Sequence, residues 1–149
     1  MNLETILYEE LLQLRQDIIT RHEQAGQVAT GQTREAFSIN ITSPFTAELQ
    51  MPAYAQALEK GRAPGAIPAD FKDILFRWSQ AKGLVFATDA DFNRWAYFVS
   101  KKIREEGTTL YRSGQTLDIY TTPVSEFEQR LAKRITDYYS TRIINHLSL

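Results

Sequence analysis

The sequence predicts an α+β fold in one domain spanning 1–149: a small antiparallel sheet, made of a hairpin plus a third strand, packed with long N- and C-terminal helices and two central helices. Three observations carry this expectation. Apolar residues recur at three- and four-residue steps at both ends of the chain, which is the helical period. Between positions 37 and 51 the period falls to two, which is the strand period. Glycine and proline punctuate the joints.

The first helix runs from Asn2 to about Gln24, with Leu3, Ile6, Leu7, Leu11, Leu14 and Ile18 on one face and Tyr8, Leu12 and Ile19 widening it. So wide an apolar face needs more than one partner surface, either inside the domain or on a neighbouring subunit. Gly26 and Gly31 end the helix, and Gly26 to Arg34 reads as an exposed loop. Phe37, Ile39 and Ile41 then alternate with polar residues, as do Phe45, Ala47, Leu49 and Met51 after Ser43-Pro44. This is a hairpin with one buried face, closed by Pro52, which cannot donate to a ladder.

Tyr54 to Lys60 allows one or two helical turns, and the run Gly61-Arg62-Ala63-Pro64-Gly65-Ala66-Ile67-Pro68 is too rich in breakers for regular structure. A helix marked by Phe71, Ile74, Leu75 and Trp78 ends at Lys82-Gly83. The next begins near Asp89 or Asp91, carries Phe92, Trp95, Ala96, Val99 and Ile103, and ends at Gly107 with basic residues in its last turns, where they suit the helix dipole. The turn Tyr111-Arg112-Ser113-Gly114 leads to the third strand, Leu117 to Thr121. Thr122-Pro123 then pairs an N-cap with proline at the first helical position. This opens the last helix through Val124, Phe127, Leu131, Ile135, Tyr138 and Ile143.

Composition narrows the function. Hydrophobic residues make up 43% and charged residues 23% of 149, an ordinary globular balance. Seventeen basic against eighteen acidic residues argue against a protein that grips a phosphate backbone through broad positive potential. The absence of cysteine removes disulfides, thiolate ligands and thiol nucleophiles. No export signal or membrane span is visible, so the protein is expected in the cytoplasm or in a particle assembled there. No metal or cofactor is expected: the two histidines, His22 and His146, sit near helix ends outside any ligand motif.

No constellation suited to catalysis stands out. The Gly61–Gly65 piece lacks the Lys-Ser/Thr of a P-loop and follows no long strand that would aim a phosphate at it. Asp70 and Asp73, like Asp89 and Asp91, are placed near helix starts, where carboxylates are favoured. The aromatics Phe71, Trp78, Phe92, Trp95 and Phe98 fall at helical spacing and read as core or interface. Tyr138 and Tyr139 point about 100° apart, so one of them is available for a subunit contact. Lys101, Lys102 and Arg104, and Arg130, Lys133 and Arg134, read as solvated helix faces balanced by Glu105, Glu106, Glu126 and Glu128.

The segment from Tyr54 to Thr109 has a more specific pattern. Tyr54-Ala55, Leu58-Glu59-x-Gly61-Arg62-x-Pro64-Gly65, Ile67-Pro68, Trp78-x-x-x-Lys82-Gly83-Leu84 and Lys102-Ile103-Arg104-Glu105-Glu106-Gly107-Thr108 follow in order. This order resembles the small neck, head–tail connector or tail-completion proteins of long-tailed, siphovirus-like phages and prophages. The continuation Leu110 to Gly114 and Asp118 to Thr121 resembles versions from phages of Bacteroidetes-type hosts.

The resemblance implies a non-enzymatic virion protein at the head–tail junction or tail, assembled in the host cytoplasm. It would act as a homo-oligomeric ring that meets other connector, portal-adjacent or tail-tube proteins, with any DNA contact incidental. The structural-loop and subunit-contact candidates are Tyr54, Glu59, Gly61, Arg62, Pro64, Gly65, Trp78, Lys82, Gly83, Gly107, Tyr138 and Tyr139. Arg62 offers a planar donor for a carboxylate on its own or a neighbouring subunit, with Glu59 the nearest candidate. The alternative is a phage-encoded module that binds DNA or a host protein.

Overall fold

The computed structural model describes residues 2–27, 31–43 and 45–147, with Thr33 described through its backbone alone. Helices α1 (Leu3–Gln24) and α2 (Gln32–Glu35) precede strands β1 (Ser38–Ser43) and β2 (Thr46–Gln50). Helices α3 (Ala55–Lys60), α4 (Phe71–Ala81), α5 (Asp89–Glu106), α6 (Thr109–Ser113) and α7 (Thr121–Leu147) follow. The fold is α+β, mostly helical, with one two-stranded antiparallel sheet among the described residues. Contacts gather the chain into two compact units. One holds α1, both strands and α7. The other holds Gly26–Gln27 and α3 through α6.

In the first unit, α1 starts at Leu3 because Asn2, in extended backbone, accepts the Thr5 N–H on its side-chain oxygen at 2.8 Å. Ile6, Leu11, Leu14, Ile18 and Ile19 are buried along the helix, while Tyr8 and Leu12 stay exposed. The hairpin and α7 both pack on α1. The strands pair Ile39 with Leu49 and Ile41 with Ala47, and these four are half-buried between exposed polar neighbours. The register slips between Ile41 and Ser43. Phe45 lies before β2, in the turn, and does not share the buried face that alternation assigned to it. Pro44, expected in that turn, lies outside the described residues.

Polar contacts set the α1–α7 pairing. Glu10 is buried on α1, and Arg130 Nε and Arg134 Nη1 of α7 each donate to one of its carboxylate oxygens at 3.0 Å. Arg134 also meets Glu9 at 2.6 Å, and Arg130 meets Asp17 at 3.4 Å. Near the C-terminal end of α1, Arg21 pairs with Asp118 at 2.8 Å. Rising numbers on α1 meet falling numbers on α7, so the helices are antiparallel. Arg130 and Arg134, expected on a solvated face balanced by Glu126 and Glu128, therefore bind acids of α1 instead.

The third strand is not formed. Leu117 to Tyr120 are irregular, and α7 begins at Thr121. Asp118 is the reason: it takes a left-handed backbone at φ 49°, which a strand excludes, and its carboxylate accepts both the Thr122 N–H at 2.9 Å and the Thr122 hydroxyl at 2.7 Å. Asp118 thus does the capping work expected of Thr122, and Pro123 is the third helical residue, fully buried. The Thr122 bonds come first in holding the Asp118 carboxyl below its usual range, with Arg21 assisting. The exposed loop expected at Gly26 to Arg34 includes the short α2, and positions 28–30 lie outside the described residues.

The second unit has a small core of its own, Leu75 of α4 with Phe92 and Ala96 of α5, edged by Phe71, Phe86, Trp95 and Val99. Ring contacts knit it together: Phe76 and Phe86 each meet Phe92 edge-on, and Trp78 stacks on Trp95 at 6.4 Å. Ile74 and Trp78, expected on the core face of α4, lie at its exposed margin. Thr88 caps α5 by accepting the Asp91 N–H and donating to the Asp91 carboxylate at 2.8 Å. The expected turn at Tyr111 to Gly114 is the end of the short helix α6, closed by Gly114.

Glu10 and His22, both buried, each make this fold less stable in acid, by different routes. Burial opposes the charge on Glu10, but the hydrogen bonds of Arg130 and Arg134 outweigh it and hold the carboxyl below its ordinary 4.5. Its contribution is present above that value and lost as pH falls through the lower, folded one. Glu10→Gln should cost about 1.5–3 kcal/mol at neutral pH, the range for hydrogen bonds to charged groups, and should flatten the loss of stability below pH 4.5 in urea titrations at stepped pH. His22 is buried, its Nε2 has no hydrogen-bond partner among the described residues, and burial lowers its pKa below 6.5. The unfolded chain therefore takes up the proton first, and stability should begin to fall as pH drops below 6.5. In the same titration His22→Gln should remove that slope, and an unchanged slope would assign it to other groups.

Candidate functional site

The loop between α3 and α4 is built, residue by residue, onto the junction of α5 and α6. Helix α3 ends at Gly61, whose φ of 77° and ψ of 177° suit only glycine. The Gly61 N–H closes the helix on the Ala57 carbonyl at 3.0 Å. The Arg62 N–H then donates to Thr108 Oγ1 at 2.9 Å, and the Thr108 N–H returns a bond to the Arg62 carbonyl at 2.9 Å. Beyond Pro64, the Gly65 N–H donates to the Arg104 carbonyl at 2.9 Å. Upstream, the Leu117 N–H donates to the Glu59 carbonyl at 3.0 Å. The loop is thus held by α5, by the start of α6 and by the segment after α6.

The glycines make this approach possible. A Cβ on Gly61 would collide with the Tyr111 backbone nitrogen and stand 2.6 Å from Thr108 Oγ1. A Cβ on Gly107 would stand 2.5 Å from the Arg62 carbonyl oxygen and 2.9 Å from the Tyr111 ring. Gly107 also ends α5, at φ 80°. Two glycines more than forty positions apart are therefore the two faces of one backbone contact, with Thr108 as the hydrogen-bonding hub between them.

Glu59, in the last turn of α3, is buried. Arg62 uses its guanidinium on its own loop and not on Glu59: Nη2 donates to the Ala66 carbonyl, and Nη1 is buried with no hydrogen-bond partner among the described residues. The Glu59–Arg62 pairing expected from the sequence is absent because the loop turns the Arg62 side chain forward onto Ala66.

The structure thus brings Glu59, Gly61, Arg62, Pro64, Gly65 and Gly107 into one assembly, and it adds Thr108 and Tyr111 as its hub and wall. Tyr54 stands at the start of α3, its side chain about half exposed. Trp78, Lys82 and Gly83 belong to the end of α4. There Gly83 (φ 70°) lets the Leu84 N–H reach back to the Ser79 carbonyl at 2.9 Å, and Lys82 Nζ donates to the Gly26 carbonyl at 2.9 Å. Tyr138 and Tyr139 belong to the other unit. They line an open cleft of about 310 Å³ with Asn2, Leu3, Glu4, Phe45 and Arg142. Arg142 lies 5.1 Å over the Tyr138 ring.

The contacts of the loop described above are backbone hydrogen bonds, one threonine hydroxyl, the Arg62 guanidinium on the Ala66 carbonyl and two close glycine approaches. Among the described residues no three His, Asp or Glu side chains converge as a metal-ligand set, and no helix is long and apolar enough to cross a membrane. Asp70, Asp73, Asp89 and Asp91 sit at the starts of α4 and α5 as the dipole argument expects.

The clamp is directly testable. Gly61→Ala and Gly107→Ala should each lower stability by about 3 kcal/mol or more, since overpacking adds to backbone strain. Gly31→Ala, at a similar φ of 76° but with nothing within 4 Å of the added Cβ, should cost clearly less. Hydrogen exchange at Gly65 and Leu117 should accelerate in the first two variants and not in the third. Equal losses in all three would remove the steric clamp. Against known proteins, no family model, no curated relative and no solved structure matches this chain.

Proposed function

We propose that this chain is a virion structural protein of a long-tailed phage or prophage, a head–tail joining or tail-completion subunit that acts by assembling with copies of itself and with connector or tail-tube neighbours. The reading rests on the resemblance carried by Leu58 to Gly65 and by Gly107-Thr108. The observation that supports it furthest is that these separated pieces make a single clamped loop.

Two further features support assembly as the mode of action. Large apolar side chains stand exposed on each unit: Phe76, Trp78, Tyr97 and Phe98 on one, Phe45, Ile143 and Leu147 on the other. Such groups gain most by being covered by another protein surface. The basic residues that a DNA-binding module needs are partly committed, since Arg130 and Arg134 are held by Glu9, Glu10 and Asp17. The function needs no catalytic group or cofactor, and its place is the assembled particle.

The test is composition and mass. Particles purified from the producing host should contain the chain in several copies, and the pure chain mixed with the connector or tail-tube proteins encoded beside it should move to a larger mass. A persistent monomer that enters no particle would overturn the reading. So would a DNA affinity that falls steeply with salt, because phosphate contacts release counterions.

A further inference from the structure

The end of α7 carries large apolar side chains that stand mostly exposed. The cleft places Tyr138, Tyr139 and Arg142 level with Asn2, Leu3 and Glu4, so α7 runs past the start of α1 by five residues, about 7 Å at the helical rise. On that overhang Ile143 is 57% exposed, Ile144 61% and Leu147 81%. Tyr139, Ile143 and Leu147 follow one another at four-residue steps and form one stripe, with Ile144 beside it. Phe45 of the hairpin turn, 74% exposed, lines the same cleft as Tyr139 and makes the patch continuous.

We infer that this patch is the contact between two copies of the chain, formed by antiparallel overlap of the ends of α7 about a two-fold axis near Ile143. The first ground is area. With about 150–250 Å² for a Phe or Tyr side chain and less for Ile and Leu, the exposed fractions of these five residues present on the order of 500 Å² of largely apolar surface. That lies in the upper half of the roughly 300–600 Å² found as the largest patch on a monomer. It also supplies the apolar share, about 56–65%, of the ~800 Å² each partner contributes to a specific interface.

The second ground is self-complementarity. A projecting tip and an open cleft of about 310 Å³ lie side by side on one molecule. Four residues separate Ile143 from Leu147 on one side and from Tyr139 on the other, so antiparallel overlap sets Leu147 of each copy against the Tyr139 side of the other's cleft. Such reciprocal exchange is what an isologous contact requires.

The third ground is charge. Tyr139, Ile143, Ile144 and Leu147, with Ser140 alongside, are uncharged. Arg142 lies on the Tyr138 stripe, turned over that ring and lining the cleft with Glu4. Two copies therefore meet through an uncharged stripe, with Arg142 and Glu4 of the cleft at its edge.

The experiment uses the full chain at about 100 µM, measuring mass by light scattering during size exclusion. The wild type should run at twice the 17.1 kDa of one chain. Ile143→Asp and Leu147→Asp should each weaken association at least tenfold with unchanged far-ultraviolet circular dichroism, whereas Val85→Asp, at an exposed site of the other unit, should leave it unaltered. Because the chain has no cysteine, orientation can be read by oxidation. Ile143→Cys should cross-link to itself, and Leu147→Cys should cross-link to Tyr139→Cys and not to itself. A wild type that stays monomeric, a dimer that survives both aspartates, or self-linking of Leu147→Cys would each overturn the inference. A chain that enters particles yet stays monomeric in this assay sinks this contact alone and leaves the connector reading standing.

Discussion

The first unit depends on one buried carboxylate. Glu10 sits on the inner face of α1 among apolar neighbours, where an unpaired charge would cost several kcal/mol. It is tolerable because Arg130 and Arg134, one helical turn apart on α7, each direct a guanidinium nitrogen at a different oxygen. Such a site has one acceptable register. Sliding α7 by a turn would leave an arginine without its acceptor and a carboxylate oxygen without its donor, so the ion cluster fixes alignment more than it adds stability. Glu9 and Asp17 at its edges, and Arg21 with Asp118 at the far end, repeat the constraint along the helix pair.

The second unit is specified differently. Its apolar core is small, and much of its order comes from backbone meeting backbone. Gly61 and Gly107 let two chain segments approach closely enough for the Arg62–Thr108 pair of hydrogen bonds, and Thr108 Oγ1 serves the incoming loop while also capping α6. A loop rich in glycine and proline would ordinarily sample many shapes. Here each end is tied, at Arg62 and at Gly65, and Pro64 restricts the backbone between them. The entropy is thus removed by fold contacts, and the surface the loop presents is fixed in advance.

Much of this was legible in the residues. The periods of α1, α4, α5 and α7 and the alternation of the hairpin are local signals, and the elements appear where those signals place them. The ends at Gly83 and Gly107 follow from the same local chemistry. The third strand failed because β-like residues such as Ile119 and Tyr120 are outvoted by Asp118, whose left-handed backbone and Thr122 bonds turn the chain into α7. Burial was misjudged where a helix outruns its partner: Ile143 keeps the period of the packed face but lies beyond the start of α1. The Glu10 cluster was missed because its members lie more than a hundred positions apart. The available signal was an acid at a core position of α1 and two arginines four apart on α7. The glycine clamp was half visible, since the motif named Glu59 to Gly65 and Gly107-Thr108, but no spacing rule says that these pieces touch.

On the proposal that the chain acts by assembly, fixing these two units in advance matters. Association costs translational freedom and, where groups are loose, the ordering of side chains and loops. The end of α7 continues a helix already pinned to α1 by five charged residues, and the α3–α4 loop is already tied at both ends. Neither needs to be ordered on contact, so more of the free energy of covering Phe45, Tyr139, Ile143 and Leu147 remains available for holding a partner. On that proposal, a buried acid between helices and a pair of close-set glycines contribute to assembly without lying at the contact: they remove the conformational cost that flexible versions of the same surfaces would incur on association.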